Sequence, residues 1–340
     1  MFGLRYAVGG DPIEHTLSPI LFDLVLAHLQ KKGHFPSLKV SSLTILEANH
    51  IDEVLGWAYI EHDKHQPHWK PANQKLKAFQ SNLLKHASES IDHEAEANFA
   101  PKLQPTLRET VKLNFPDGSS SNEVWLNLTS PLKHQIQSMV FSPIDEALDI
   151  ISVNALRYDG QGWYCATTDG RGVVHVASHF GIDVSKGAIL GIHGGGGAAR
   201  SIASAWLQQG GKVASIGGRR QLPATLVNSK ISDETVFDLI IDAEGTLEQE
   251  VKATLTLNPV YEPMNGSYDE CVEWLSVDNN SIDGRWMLAA QHLECWRSLW
   301  TPHFAGDLPT LEQLMTWLLT VECKLVQSRC NRMQQSNVST

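Results

Sequence analysis

The chain has 340 residues, 42% of them hydrophobic, a length that points to two domains with ample apolar material for globular cores. A formal net charge of −11 argues against nucleic acid or an anionic membrane surface as the main partner, so an anionic ligand must find local positive charge. No run approaches the roughly 18 apolar residues of a membrane span. The start, Met1 to Val8, lacks signal-peptide anatomy, and the five cysteines are scattered without Cys-x-x-Cys, so a cytoplasmic chain with reduced, mostly buried thiols is expected.

Leu4 to Val8 read as a first strand, followed by Gly9-Gly10-Asp11-Pro12-Ile13-Glu14-His15-Thr16-Leu17-Ser18-Pro19 and an apolar helix through Leu29. Thr16 and Ser18 place two hydroxyls just before that helix, where they can cap it or hold a small anion; local chemistry favours the cap. A second strand is expected over Leu38 to Leu43. From about Glu47 to Ser121 the chain turns polar and carries His50, His62, His65, His68, His86 and His93, with helices fitting Ile51 to Ile60 and Gln74 to His86. The histidine spacing matches no ligand set, so the stretch reads as an insertion with solvated histidines and no metal is expected.

Glu123 to Thr129 alternate as a strand that Pro131 stops, which leaves Lys133 at the strand's carboxyl end, where ligands of open α/β sheets collect. A lysine there can exchange a proton if desolvation lowers its pKa, the plain alternative being an exposed lysine. Val153-Asn154-Ala155 is a strand-to-turn segment and Gly160-Gln161-Gly162 a hairpin turn. Asp169 precedes a helix expected over Val173 to Phe180 and would serve as its N-cap.

Gly187 to His193 is a short apolar strand, and Ala199, Ile202 and Trp206 recur at helical spacing up to Gly210-Gly211. Between them Gly194-x-Gly196-x-x-Ala199 permits a tight turn, close approach to a pyrophosphate and a helix packed on its strand. The next strand, Lys212 to Ile216, ends in Gly217-Gly218-Arg219-Arg220, where NAD-selective folds usually place an acid. Two guanidiniums there point to a 2′-phosphate, hence NADP; a glycine-rich surface loop with solvated arginines is the alternative. A third strand, Phe237 to Asp242, completes a unit running from Lys186 to about Gly245. Beyond lie Tyr261-Glu262-Pro263, Asp283-Gly284 and a helix over Met287 to Trp300, in which Gln291 needs partners from the backbone or a hydroxylated ligand. The tail after Gln327 is expected to fray.

In order as well as content these segments resemble the shikimate dehydrogenase family. The resemblance rests on Gly-Asp-Pro-Ile-x-His-Thr-Leu-Ser-Pro, Asn127-Leu-Thr-Ser-Pro-Leu-Lys133, Val153-Asn154, Thr168-Asp169-Gly170, the Gly194 to Arg200 turn, the arginine pair, Tyr261-x-Pro263, and Asp283-Gly284 through Met287-Leu288 to Gln291. It implies an N-terminal α/β substrate-binding domain (1–168 with 285–340), a Rossmann-type NADP-binding domain (169–284) and C-terminal helices returning to the first domain. It also implies reversible NADPH-dependent reduction of 3-dehydroshikimate to shikimate by a monomer or homodimer.

Lys133 and Asp169 fall on the family's catalytic pair. Thr16, Ser18, Thr129, Asn154, Tyr261 and Gln291 fall on its substrate positions. Gly194, Gly195, Gly196, Gly197, Ala198, Gly218, Arg219, Arg220 and Gly284 fall on its cofactor contacts. Departures from the family pattern stand at Thr16, Ser130, Ala155, Thr167, Gly218-Arg219-Arg220 and Asp242-Ala243-Glu244. They leave open a dehydrogenase of quinate or a related cyclic hydroxy acid, or a catalytically silent nucleotide-binding paralogue.

Overall fold

Two sheets carry the chain. In the computed structural model residues 2–13, 16–36, 38–59, 86–95, 99–105, 122–232, 234–247, 251–261, 264, 267–276 and 280–338 are described. The first sheet has the order β2-β1-β3-β5-β6-β4, from β1 (Phe2–Gly10), β2 (Leu38–Glu47), β3 (Asn122–Leu128), β4 (Phe141–Pro143), β5 (Ala155–Tyr158) and β6 (Trp163–Ala166). β1 pairs in parallel with β2 and β3, while β5 runs antiparallel to both β3 and β6. The β5–β6 hairpin closes because Asp159 Oδ1 accepts from the N–H groups of Gln161 (2.8 Å) and Gly162 (2.9 Å), the turn expected from its glycines.

The second sheet is wholly parallel, ordered β11-β10-β9-β7-β8, from β7 (Ile189–His193), β8 (Lys212–Ser215), β9 (Phe237–Asp242), β10 (Ala253–Leu257) and β11 (Ser281–Ile282). Leu190, Ile192, Leu239 and Ile241 are fully buried, as apolar runs in a parallel sheet covered on both faces must be. This is the α/β architecture expected from the sequence.

The helices are α1 (Ser18–Lys31), α2 (Ile51–Tyr59), α3 (Asp169–His179), α4 (Gly197–Gln208), α5 (Tyr268–Ser276), α6 (Gly284–Cys295, continued by a π-helical turn over Trp296–Trp300) and α7 (Leu311–Val338). α6 and α7 pack on α1, so the C-terminal helices return to the first sheet. An aromatic cluster seals that return: Tyr6 stacks on Phe22 at 4.0 Å, Trp125 on Trp300 at 5.5 Å, and Trp296 meets Trp125 edge-on at 5.3 Å.

α3 is the wedge between the two sheets, and two missing side chains let it fit. A Cβ on Gly170 would lie 2.0 Å from the Ser201 carbonyl oxygen of α4, and one on Gly172 would lie 2.7 Å from the Gln291 nitrogen of α6. Backbone thus meets backbone on both sides of α3, which fixes Asp169 relative to α4 and α6.

Several expectations need correction. α3 begins at Asp169 rather than Val173, so Asp169 is a helical residue whose carboxylate takes Lys133 instead of capping, and Thr168 occupies the cap position without a side-chain cap bond because its hydroxyl is engaged with Asn154 and Cys295. β2 runs on to Glu47, and α2 follows as part of the first α/β unit, so residues 47–59 do not belong to an insertion. Segments 86–95 and 99–105 pack on the core rather than trailing in solvent: Ala87 and Phe99 are buried, Phe99 meets Trp286 edge-on, and Trp317 Nε1 donates to the His93 carbonyl at 3.0 Å. His62, His65, His68 and most of the helix expected over Gln74 to His86 lie outside the described residues. The tail does not fray after Gln327. α7 continues to Val338, since the buried stripe Leu311, Leu314, Met315, Leu318 anchors its start and no Gly or Pro follows to stop it. Among the described residues no helix is long and apolar enough to cross a membrane, and no group of three or more His, Cys, Asp and Glu is placed to hold a metal ion.

Candidate active site

The carboxyl ends of the parallel strands in both sheets face one cleft of about 380 Å³. Thr129 follows β3, Gly196 lies in the turn after β7, Ala243 follows β9 and Pro259 lies just beyond β10; all four line the cleft, as do Thr16, Ser18, Lys133, Asn154, Tyr261 and Gln291. Open α/β sheets collect ligands at these ends because the strands stop and the connecting loops diverge.

Lys133 sits on a single 3-10 turn, Leu132–His134, directly after β3. Its carbonyl accepts from Val153 N at 2.8 Å, which ties the turn to the strand-to-turn segment that precedes β5. Its ammonium donates to Asp169 Oδ2 at 2.7 Å; the lysine side chain is 15% exposed and the aspartate fully buried. Asn154 closes the group. Its amide donates to Asp169 Oδ1 at 2.9 Å and its oxygen accepts from Thr168 N at 2.7 Å, so the carboxylate is held from both oxygens. Such a charge-assisted, buried arrangement fixes the ammonium's direction toward the cleft.

Behind the pair a polar chain continues into the core. Thr168 Oγ1 lies 3.2 Å from Cys295 Sγ, Asn127 Nδ2 donates to that sulfur at 3.4 Å, and Tyr6 OH donates to Asn127 Oδ1 at 2.8 Å. Burial pushes the Cys295 thiol up to about 12, so it acts as a neutral packing and hydrogen-bonding group. The other cysteines with described side chains, Cys165, Cys271 and Cys323, are likewise free and buried.

The opposite end of the cleft is hydroxyl-rich. Thr16 Oγ1 accepts from Ser18 N at 3.3 Å, but Leu17 occupies the cap position of α1, so Ser18 is left buried inside the helix start and Thr16 faces the cleft. Tyr261 OH accepts from Leu17 N at 3.3 Å and thereby ties this loop to the second sheet. Burial raises the Tyr261 phenol above its ordinary range, and the Arg285 guanidinium stands 5.3 Å above its ring. Arg285 is itself locked by Glu322 (2.9 Å) and Asp283, whose Oδ1 caps α6 through Arg285 N.

The glycine turn supplies the third wall. Gly194 takes φ 104°, a conformation costly for any side chain, and α4 starts at Gly197 with Gly196 at its cap and no side chain closing it. Gly196, Gly197 and Ala198 therefore present the first turn of α4 to the cleft, an arrangement suited to a pyrophosphate. Gly197 also touches the first sheet: a Cβ there would come 3.0 Å from Lys133 Cβ, and its carbonyl accepts from Ser152 Oγ at 2.8 Å. Gly194, Gly195 and Gly218 do not line the cleft; they let the loop after β7 lie against the loop after β8, where Gly194 N donates to Gly217 O at 2.9 Å. Arg219 and Arg220 stand exposed at the mouth, and Gly284 lines the cleft with its Cα against the Asn258 and Pro259 carbonyls, where a Cβ would come within 2.6 Å of Pro259 O. These residues fit a phosphorylated dinucleotide, with free helix N–H groups at one point and two guanidiniums at another.

Two lining groups escaped sequence reasoning. Asn127 is a buried polar residue between Leu126 and Leu128 near the end of β3, a signal that its strand position could have given. His134 follows Lys133 and faces Arg200 and Arg220; burial first, then these two cations, lowers its pKa.

No family model matches the chain. Over 86 residues it is 41% identical to a shikimate dehydrogenase (NADP(+)) of Xanthomonas campestris, covering 25% of this chain and 30% of the relative. Over 85 residues it is 33% identical to a shikimate dehydrogenase (NADP(+)) of Methylibium petroleiphilum, covering 25% and 29%. The matched stretch thus spans less than a third of these curated relatives. The fold likeness is chain-wide: shikimate 5-dehydrogenase of Thermus thermophilus, solved in complex with NADP(H) and shikimate, superposes with a TM-score of 0.53 at 20% identity, covering 94% of this chain and 99% of the other.

Proposed function

We propose that this chain is a member of the shikimate dehydrogenase family and an NADP-dependent shikimate dehydrogenase that interconverts 3-dehydroshikimate and shikimate on the chorismate route to aromatic amino acids, a reading supported by the local sequence matches and the chain-wide fold likeness. The observation that carries the reading is the Lys133–Asp169–Asn154 group, buried on one side and open to a hydroxyl- and amide-lined cleft on the other. Thr16, Ser18 and Tyr261 form the end that takes the substrate carboxylate. Thr129, Asn154 and Gln291 offer donors and acceptors to ring hydroxyls, which matches a small, polyhydroxylated acid.

NADP, when bound along α4 and the arginine pair, supplies or accepts the hydride. The Lys133 ammonium gives its proton to the carbonyl oxygen as negative charge develops there, and in the reverse direction the neutral amine takes it from the hydroxyl. Asp169 keeps Lys133 aimed at that oxygen, and Asn154 keeps Asp169 from turning away. Residues 1–168 with 285–340 form the substrate domain in this reading and 169–284 the cofactor domain, in a cytoplasmic enzyme. Gly194, Gly195 and Gly218 serve the cofactor indirectly, by shaping the two loops.

The test is cofactor reduction followed at its near-ultraviolet absorbance, with shikimate or quinate and NADP or NAD in parallel. Turnover of shikimate with NADP is expected. Turnover restricted to quinate would move the assignment to the related cyclic hydroxy acid that the extra methyl of Thr16 at the carboxylate end permits. Nucleotide binding without turnover of either would point to a silent paralogue.

A further inference from the structure

The arginine pair at the cleft mouth has a carboxylate beside it that the activity does not require. Glu244, just past β9, accepts from Arg219 N at 2.7 Å through Oε2 and from Arg220 N at 3.2 Å through Oε1, and it lines the cleft. It is not a wandering surface side chain. Its own N–H donates to Asp242 Oδ1 at 3.1 Å, the same oxygen lies 2.8 Å from His193 Nδ1, and its Cγ would be 2.8 Å from a Cβ on Gly194. The backbone bond from Arg219, ahead of the Arg219 and His193 charges, holds its pKa below the ordinary carboxylate value, so it is ionised near neutral pH.

A carboxylate oxygen has two acceptor directions, and each Glu244 oxygen spends only one on the loop. What remains can accept a ribose hydroxyl, while the negative charge opposes a phosphate placed between Arg219 and Arg220. We infer that Glu244 is the specificity-determining residue of the cofactor site: it holds the Arg219–Arg220 loop by its backbone, accepts the adenosine ribose hydroxyls, and keeps the preference for a 2′-phosphate below what two arginines alone would give. The inference rests on the nucleotide reading of the cleft proposed above.

The test uses binding rather than turnover. Calorimetric titration of the full chain with 2′,5′-ADP and with 5′-AMP compares wild type, Glu244→Gln and Glu244→Thr. Removing the charge should tighten 2′,5′-ADP by on the order of tenfold, while 5′-AMP stays unchanged or weakens a few-fold. The two variants should agree in direction, since both remove the charge; Gln keeps an amide oxygen at the reach of the carboxylate, so a change shared with the shorter Thr is due to the charge and not to loop anchoring. Equal 2′,5′-ADP affinity in wild type and both variants would reduce Glu244 to a loop clamp and overturn the inference while leaving the nucleotide site intact. No binding of either nucleotide to wild type would instead overturn the cofactor reading, and the inference with it.

Discussion

On the first-sheet wall of the cleft Lys133 is 15% exposed and its partner Asp169 fully buried, held by side chains that are themselves packed; on the second-sheet wall Arg219 and Arg220 stand in solvent and Glu244 reaches them through backbone N–H groups. Both walls place charge beside the same cavity, but the media differ. Burial keeps the first pair rigid and little affected by salt, whereas exposed charges are screened by electrolyte over a Debye length of about 8–10 Å. The dry wall therefore suits proton transfer, which tolerates little misplacement, and the wet wall suits a ligand that must arrive and leave.

The sharpest way to break this comparison is at Lys133. Lys133→Ala should lower kcat by about 10²–10⁴-fold with the KM for NADP little changed, measured by steady-state absorbance, and the loss should be the same in low and high salt. A loss that salt erases would place Lys133 on the wet wall.

A second variant tests whether dryness extends behind the first wall. His292, next to Gln291 on α6, is fully buried with neither ring nitrogen hydrogen-bonded, and burial lowers its pKa to about 3. In the unfolded chain it titrates near 6.5, so its contribution to stability is intact above about pH 6.5 and is lost progressively as pH falls toward 3. Asp23, which burial raises to about 7, works in the opposite sense, gaining stability as pH falls through that value. Comparison of His292→Leu with wild type isolates the histidine. The variant should be more stable by about 1–3 kcal/mol at neutral pH, with the gap widening at pH 5, read as Tm across pH. A gap that does not widen would mean the ring is solvated.

The smallest effect is expected on the wet wall. Arg219→Ala should raise the KM for NADP roughly tenfold at low ionic strength with little change for NAD, and the difference should shrink as salt is added. Equal losses with both cofactors would sink the 2′-phosphate role of Arg219.

Much of this was legible in the chain because periodicity and punctuation coincide. β9 begins and ends at the expected residues, α4 follows the glycine turn, and Lys133, Asn154, Tyr261 and Gln291 stand at the ends or on the faces of clearly patterned segments. What pattern alone did not give was long-range pairing. Asp169 had a sufficient local explanation as a cap, and its pairing with Lys133, 36 residues away on another element, was reached only through the family resemblance. The buried Arg157–Glu123 pair, at 2.8 Å, emerges only once β3 and β5 are in register, with Trp125 opposite Arg157. The extent of α7 was missed because polar residues were read as a signal to fray, whereas a helix already nucleated by a buried stripe propagates through them.

The claim that Lys133 and Asp169 act as one unit is tested most directly by a double-mutant cycle on kcat/KM for shikimate with NADP, using Lys133→Ala, Asp169→Ala and the double variant. The account predicts that wild type turns over, that each single change costs on the order of 10²–10⁴-fold, and that the double variant is no worse than the poorer single. Losses that multiply in the double variant would contradict it, because two residues that fail independently are not one device.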